Sequence, residues 1–192
     1  MSSAVAPSAD PGLPELILAK VRDIPDYPQP GIVFKDITPL LADGSALTTV
    51  VAALAAGHWE PGGHDGGWGQ IDKVVGIEAR GFILAAPVAC CLGAGFVPVR
   101  KQGKLPAAIY AQSYQLEYGT ATVEVHADAF QPGERVLIVD DVLATGGTAA
   151  ATASLVRRSG AEAVAVAVLL ELGFLDGRAK LPDLDVRSLL AV

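Results

Sequence analysis

The chain of 192 residues has little cysteine, histidine, aromatic residue or positive charge: two Cys, three His, 6% aromatics, and 14 Lys and Arg against 21 Asp and Glu. Cys90 and Cys91 are adjacent, which does not suit an ordinary disulfide between them. Both fall in an apolar run and are expected as buried, reduced core residues, in keeping with a cytoplasmic setting. The net charge of −7 excludes nucleic acid and anionic membrane as main partners. No uninterrupted membrane-length run exists. The stretch 81–99 lacks charge, but Pro87, Pro98 and three glycines divide it into a helix, a turn and a strand. Residues 1–14 carry neither a basic n-region nor an apolar h-region, so no signal peptide is expected; residues 1–12 read as a disordered lead. His58 and His64 stand in a Gly-rich loop (57–69) with no cysteine and no helical spacing, so they read as solvated loop residues rather than metal ligands.

What is present centres on Val136-Leu-Ile-Val-Asp-Asp-Val-Leu-Ala-Thr-Gly-Gly-Thr148. Four branched apolar residues, Val136 to Val139, predict a strand buried on both faces. Asp140 and Asp141 follow at its C-terminal end, then a loop closing in Thr145-Gly146-Gly147-Thr148 and an Ala-rich helix. Adjacent glycines leave backbone amides uncovered at a helix N-terminus, where the macrodipole favours an anion. Thr145 and Thr148 offer hydroxyls to that anion, and the two carboxylates can accept from neighbouring hydroxyls. A phosphate beside a vicinal diol describes a ribose 5-phosphate. No lysine follows the glycines, so this is not a Walker loop, and the pattern is not G-x-G-x-x-G.

Along the chain, Leu13, Leu16, Ile17 and Val21 recur at helical spacing. Residues 24–41 contain four prolines and are expected as an extended loop packing through Ile32, Phe34 and Ile37, with Asp43 or Ser45 starting the next helix. Strands are expected over 73–78, 96–100, 120–126 (half-exposed by its alternation), 136–139, 163–170 and 186–192, and helices over 81–92 and from Thr148 to Arg158. Strands alternating with helices predict an α/β fold with a mostly parallel central sheet flanked by helices, forming one domain over residues 13–192. Ligands bind beyond the C-terminal strand ends of such sheets. Three strands end in polar residues there: Glu78-Ala79-Arg80-Gly81, Arg100-Lys101-Gln102-Gly103-Lys104, and the Asp pair. Converging on one edge of an acidic protein, the cations suggest a diphosphate site.

The stretch 136–148 closely resembles the phosphoribosyl-diphosphate (PRPP) motif of type I phosphoribosyltransferases. The segments 26–38, 76–82, 99–106 and 114–119 resemble the adenine phosphoribosyltransferase family, in order, over about residues 24–173. The resemblance implies transfer of a phosphoribosyl group from PRPP to adenine, giving AMP and pyrophosphate. In that case Asp140 and Asp141 take the ribose hydroxyls, and Ala144, Thr145, Gly146, Gly147 and Thr148 the 5-phosphate. Arg80, Lys101 and Lys104, with Arg100 alongside, hold the diphosphate with Mg²⁺, which binds through PRPP rather than directly to protein. Phe34 stacks on the purine, and backbone groups around Lys35 read its edge; lysine stands there where family members often carry arginine. Glu117 is the proton-handling or positioning carboxylate, with Tyr118 beside it in a mobile hairpin lid over about 101–119. The resemblance also implies a homodimer. Two other readings are a phosphoribosyltransferase for another purine base, against which the Phe34 and Glu117 segments argue, and a PRPP- or nucleotide-sensing regulator. The latter requires a basic face or an added nucleic-acid-binding domain, neither of which is evident.

Overall fold

The computed structural model describes residues 12–57, 67–115 and 119–192. In chain order these form α1 (Leu13–Lys20), β1 (Arg22–Pro25), β2 (Val33–Asp36), α2 (Thr38–Ala42), α3 (Gly44–Ala56), β3 (Lys73–Ile77), α4 (Arg80–Leu92), β4 (Gly95–Lys101), β5 (Ile109–Gln115), β6 (Thr120–His126), β7 (Arg135–Leu143), α5 (Gly147–Arg158), β8 (Glu162–Glu171), two 3-10 turns (Gly173–Leu175 and Gly177–Lys180) and β9 (Asp185–Ala191). The lead over 1–11 and the histidines of the Gly-rich loop lie outside the described residues.

Seven strands make one sheet in the order β5-β6-β4-β3-β7-β8-β9. β4, β3, β7, β8 and β9 run parallel, and β6 and β5 join antiparallel at one edge. Alternation along the central strands builds two cores. Val74, Leu137, Val139, Ala165 and Ala167 face α1, α3 and α4. Val75, Ile77, Val136, Ile138, Val166 and Val168 face the layer holding α5. Burying side chains of this size stabilises by about 1.5–3 kcal/mol each relative to exposure, which is why residues 74–77, 136–139 and 163–170 include no polar side chain. Because β4, β3 and β7 are parallel neighbours, their C-terminal ends lie side by side, as the sequence led us to expect.

Four expectations change. Residues 24–41 are not an extended loop: β1 and β2 pair as an antiparallel hairpin, and α2 follows. The prolines sit where they do not break it, with Pro25 ending β1, Pro28 and Pro30 in the connection and Pro39 in the first turn of α2. Only Ile37 of the three expected packing residues is fully buried. Cys90 and Cys91 are exposed rather than in the core. Leu84, Ala85, Val88 and Ala89 occupy the inner face of α4, and the helical phase turns the two cysteines outward. β6 is more deeply buried than its alternation suggests, since it lies between β5 and β4; even Glu124 is covered. Asp43, of the two residues considered, caps α3, its carboxylate accepting from the amides of Ser45 and Ala46. No helix among the described residues is long and apolar enough to cross a membrane.

Candidate active site

Beyond β7 the chain turns through Gly146, whose φ of +74° is the left-handed conformation that glycine tolerates. Glycine is required there for a second reason: a Cβ would stand 2.1 Å from the carbonyl oxygen of Gly177. Unlike α3, α5 begins without a side-chain cap, so its first amides remain open to an anion. A pocket at this point is lined by Asp140, residues 142–149 and Val168. Ala144, Thr145, Gly146, Gly147 and Thr148, the residues expected to hold a phosphate, are thus brought together around one pocket.

Asp140 and Asp141 diverge from the strand end. Asp140 accepts the Asp141 amide at 2.9 Å and lies so close to α4 that a Cβ on Gly81 would stand 2.6 Å from its Oδ1. Burial, and after it the neighbouring Asp141 carboxylate, holds Asp140 well above the usual carboxylate range. Asp141 is buried and its Oδ2 lies 2.7 Å from Arg80 Nη2. That contact is ionic but not an aligned hydrogen bond, so the oxygen keeps an unused acceptor position. Buried acceptors of this kind call for a donor, and a ligand hydroxyl would supply one.

Arg80 is drawn toward Phe34 and the Lys35 backbone. Its guanidinium lies 4.7 Å from the centroid of Phe34 and donates to the Lys35 carbonyl at 3.2 Å. Tyr27 meets Phe34 edge-on, with centroids 5.3 Å apart. The Lys35 ammonium points instead to Asp23, at 2.7 Å, leaving its backbone as the part that faces Arg80.

Two of the other predicted cations, Arg100 and Lys104, gather with the backbone of the third, Lys101, on a carboxylate to which sequence reading gave no role. Glu78 accepts from Arg100 Nε at 3.1 Å, from the Lys101 amide at 2.9 Å and from Lys104 Nζ at 2.6 Å. The Lys104 bond is the largest cause, followed against burial by the Lys101 amide and Arg100, that lowers Glu78 to about 2. Its signal in the sequence was only a charge directly after a buried strand. A depressed acid contributes its stabilisation above its unfolded pKa and loses it as pH falls through the folded value, so this grip fails only near pH 2. Glu78→Gln removes the charge with little change of shape. Hydrogen exchange at the Lys101 amide is expected to quicken by about tenfold, from the loss of charge-assisted bonds. Unchanged protection in the variant would show that β-pairing alone holds this segment.

Glu117 and Tyr118 lie outside the described residues, so the proposed base-handling groups have no geometry here. Sequence reading also missed Tyr114, whose hydroxyl accepts from Thr148 Oγ1 at 3.0 Å, and Gly177, which packs beneath the cradle. Gly177 is followed by Arg178, whose Nε and Nη2 each bond a separate oxygen of Glu171 at 2.7 Å, while Ser188 donates to the same carboxylate at 2.8 Å. Nothing local marks this brace, because its parts come from β8, a 3-10 turn and β9. Among the described residues no cluster of three or more His, Cys, Asp or Glu side chains suits a protein-ligated metal.

A phosphate cradle beside a carboxylate pair at the C-terminal edge of a parallel sheet is the arrangement of a nucleotide- or sugar-phosphate-handling enzyme. Residues 41–187 match the model of the phosphoribosyl transferase domain. The adenine phosphoribosyltransferase of Nocardioides sp. is 63% identical over 182 residues, covering 95% of this chain and 96% of that protein. Among solved structures, adenine phosphoribosyltransferase from Rhodothermus marinus aligns with a TM-score of 0.86 at 50% identity, over 95% of this chain and 100% of the other. The enzyme from Saccharomyces cerevisiae, complexed with adenine and an imino-altritol 1,6-bisphosphate, aligns with a TM-score of 0.82 at 36% identity, over 93% and 98%. The chain belongs to the phosphoribosyl transferase family, within its adenine phosphoribosyltransferase branch.

Proposed function

We propose that the chain transfers the phosphoribosyl group of PRPP to N9 of adenine, releasing pyrophosphate and forming AMP in purine salvage. The observation that carries this reading is the carboxylate pair, with Asp141 buried and its Oδ2 unsatisfied, one loop away from an uncapped helix N-terminus. The 5-phosphate occupies the amides and hydroxyls of residues 144–148, and the ribose hydroxyls donate to Asp140 and Asp141. That the yeast relative is complexed with adenine and a bisphosphate together supports a base site and a phosphate site acting on one reaction.

Departure of the diphosphate leaves positive charge on the anomeric carbon and concentrates negative charge on the leaving group. Lys101, Lys104 and Arg100 stabilise that negative charge, and their neutralising effect grows as the bond breaks. Glu78 holds Arg100 and Lys104 near their working positions, and the diphosphate competes with it for the same donors. Arg80 links the two halves of the site, with Asp141 on the ribose side and Phe34 on the base side. We assign Phe34 to the purine face, the backbone around Lys35 to its edge, and Glu117 with Tyr118 to proton handling and positioning. The segment 101–119 is assigned as a lid that keeps water from the reactive sugar.

Mg²⁺ keeps several waters and is held largely by substrate phosphates, so it would enter with PRPP rather than on side chains of this chain. Carried in this way, the ion would supply charge neutralisation for the leaving diphosphate. We place the enzyme in the cytoplasm, as one phosphoribosyltransferase domain over residues 13–192 acting as a homodimer. Exposed Ile83 and Phe96 provide apolar surface that supports such a contact, which sedimentation tests. The activity is tested by pyrophosphate release from PRPP and Mg²⁺ with each purine base in turn. Turnover is expected with adenine and not with hypoxanthine, guanine or xanthine. Turnover with another base alone would keep the PRPP site and overturn the adenine assignment; PRPP binding without turnover of any base would favour the sensor reading.

A further inference from the structure

The strand β5 lies along α5 from that helix's first turn to its last, and the contacts are polar. Thr148 donates to the Tyr114 hydroxyl at 3.0 Å. Ser154 Oγ reaches Gln112 Oε1 at 3.4 Å, and Arg158 Nη1 donates to the Ala111 carbonyl at 2.8 Å and to Gln112 Oε1 at 3.2 Å. Gln112 and Tyr114 are the half-covered positions of an otherwise exposed strand, so this one face is turned to the helix. At the first turn the approach is close: a Cβ on Gly147 would stand 3.1 Å from Tyr114 Cδ2 and 3.5 Å from the Gln115 carbonyl. Thr148 is thus tied to the strand that ends two positions before Glu117.

We propose that Tyr114 is a positioning residue that ties occupation of the 5-phosphate site to β5, an inference that rests on the function given above. A hydroxyl has one proton to donate and two lone pairs to accept with. In the structure the Thr148 proton goes to Tyr114. A phosphate dianion only accepts, so once it is bound the Thr148 proton turns to the phosphate. The Tyr114 proton then turns to Thr148, and the bond between them reverses without either side chain moving far. The resulting chain, Tyr114 to Thr148 to phosphate, ends on a charged acceptor, which makes each link stronger than a bond between two neutral hydroxyls. The phosphate thereby pins the end of β5 against the start of α5. Adenine or pyrophosphate alone makes no demand on this chain.

The test is a double-mutant cycle on ligand affinity with Tyr114→Phe, Thr148→Val and the double variant, titrated calorimetrically with AMP, pyrophosphate and adenine. Phenylalanine keeps the ring against Gly147, and thermal melting verifies that each variant is folded. Tyr114→Phe is expected to weaken AMP roughly 3- to 10-fold, the cost of one hydrogen bond in a charge-assisted chain. It is expected to leave pyrophosphate and adenine unchanged, and to have no further effect on AMP in the Thr148→Val background. An equal loss in that background, a loss that extends to pyrophosphate, or unchanged AMP affinity would each overturn the proposal and leave Tyr114 a packing residue. Wild-type protein that binds no AMP at all would overturn the assigned reaction, and this inference with it.

Discussion

Asp140→Asn is expected to make the protein more heat-stable while lowering kcat/KM for PRPP by about 10- to 100-fold, the range for losing a charge-assisted hydrogen bond. The two effects have one cause. Asp140 is held well above its ordinary pKa by burial and by Asp141, so its ionised form is disfavoured in the folded chain. For an acid whose folded pKa is raised, the folded state binds the proton more tightly than the unfolded state. Stability from this group is greatest below the unfolded pKa and declines as pH rises toward the folded one. At neutral pH an ionised Asp140 therefore costs stability, and asparagine removes that cost. Its Oδ1 can still accept the Asp141 amide, so the loop geometry survives. Each ~1 kcal/mol so recovered raises Tm by about 2–4 °C in a chain of this size. Thermal melts across pH, paired with steady-state kinetics, read both arms. The advantage of the variant should shrink on acidification, as wild-type Asp140 takes up its proton. A variant that melts earlier than wild type at neutral pH and still turns over normally would sink this account of the carboxylate pair.

Gly146→Ala is expected to destabilise the fold by roughly 2–5 kcal/mol, the sum of a left-handed backbone penalty and overpacking of a filled site. The Cβ would meet the Gly177 carbonyl at 2.1 Å, and backbone cannot rotate away as a side-chain tip can. Gly177→Ala is the informative companion. It lies outside the phosphate motif, yet its Cβ would stand 2.3 Å from the Ala144 carbonyl. The brace of Arg178 on Glu171 keeps that turn from retreating. Both substitutions should therefore lower AMP affinity, together with the urea midpoint. If Gly177→Ala destabilises the chain but leaves AMP binding intact, the turn supports the fold without shaping the cradle.

The glycine turn into an uncapped helix start, the carboxylate pair and the strand preceding them were legible in the sequence because each is a local property. Burial on both faces demands consecutive branched residues, a left-handed turn demands glycine, and an anion at a helix start demands uncovered amides. The same holds for the order of helices and strands and for the polar strand ends after Ile77, Val99 and Val139. Folding alone decided which distant groups meet. Sheet order placed β4, β3 and β7 side by side and so brought Arg100 and Lys104 to Glu78, more than twenty positions away. The β1–β2 hairpin carried Phe34 to Arg80, against an expectation of extended loop. Helical phase turned Cys90 and Cys91 outward although their run is apolar. Gly177 and Tyr114 reached residues 144–148 through elements whose own sequences carry no mark of the contact. Local propensity depends on neighbours along the chain, whereas a site closed by long-range pairing depends on register and topology, which no short stretch of residues encodes.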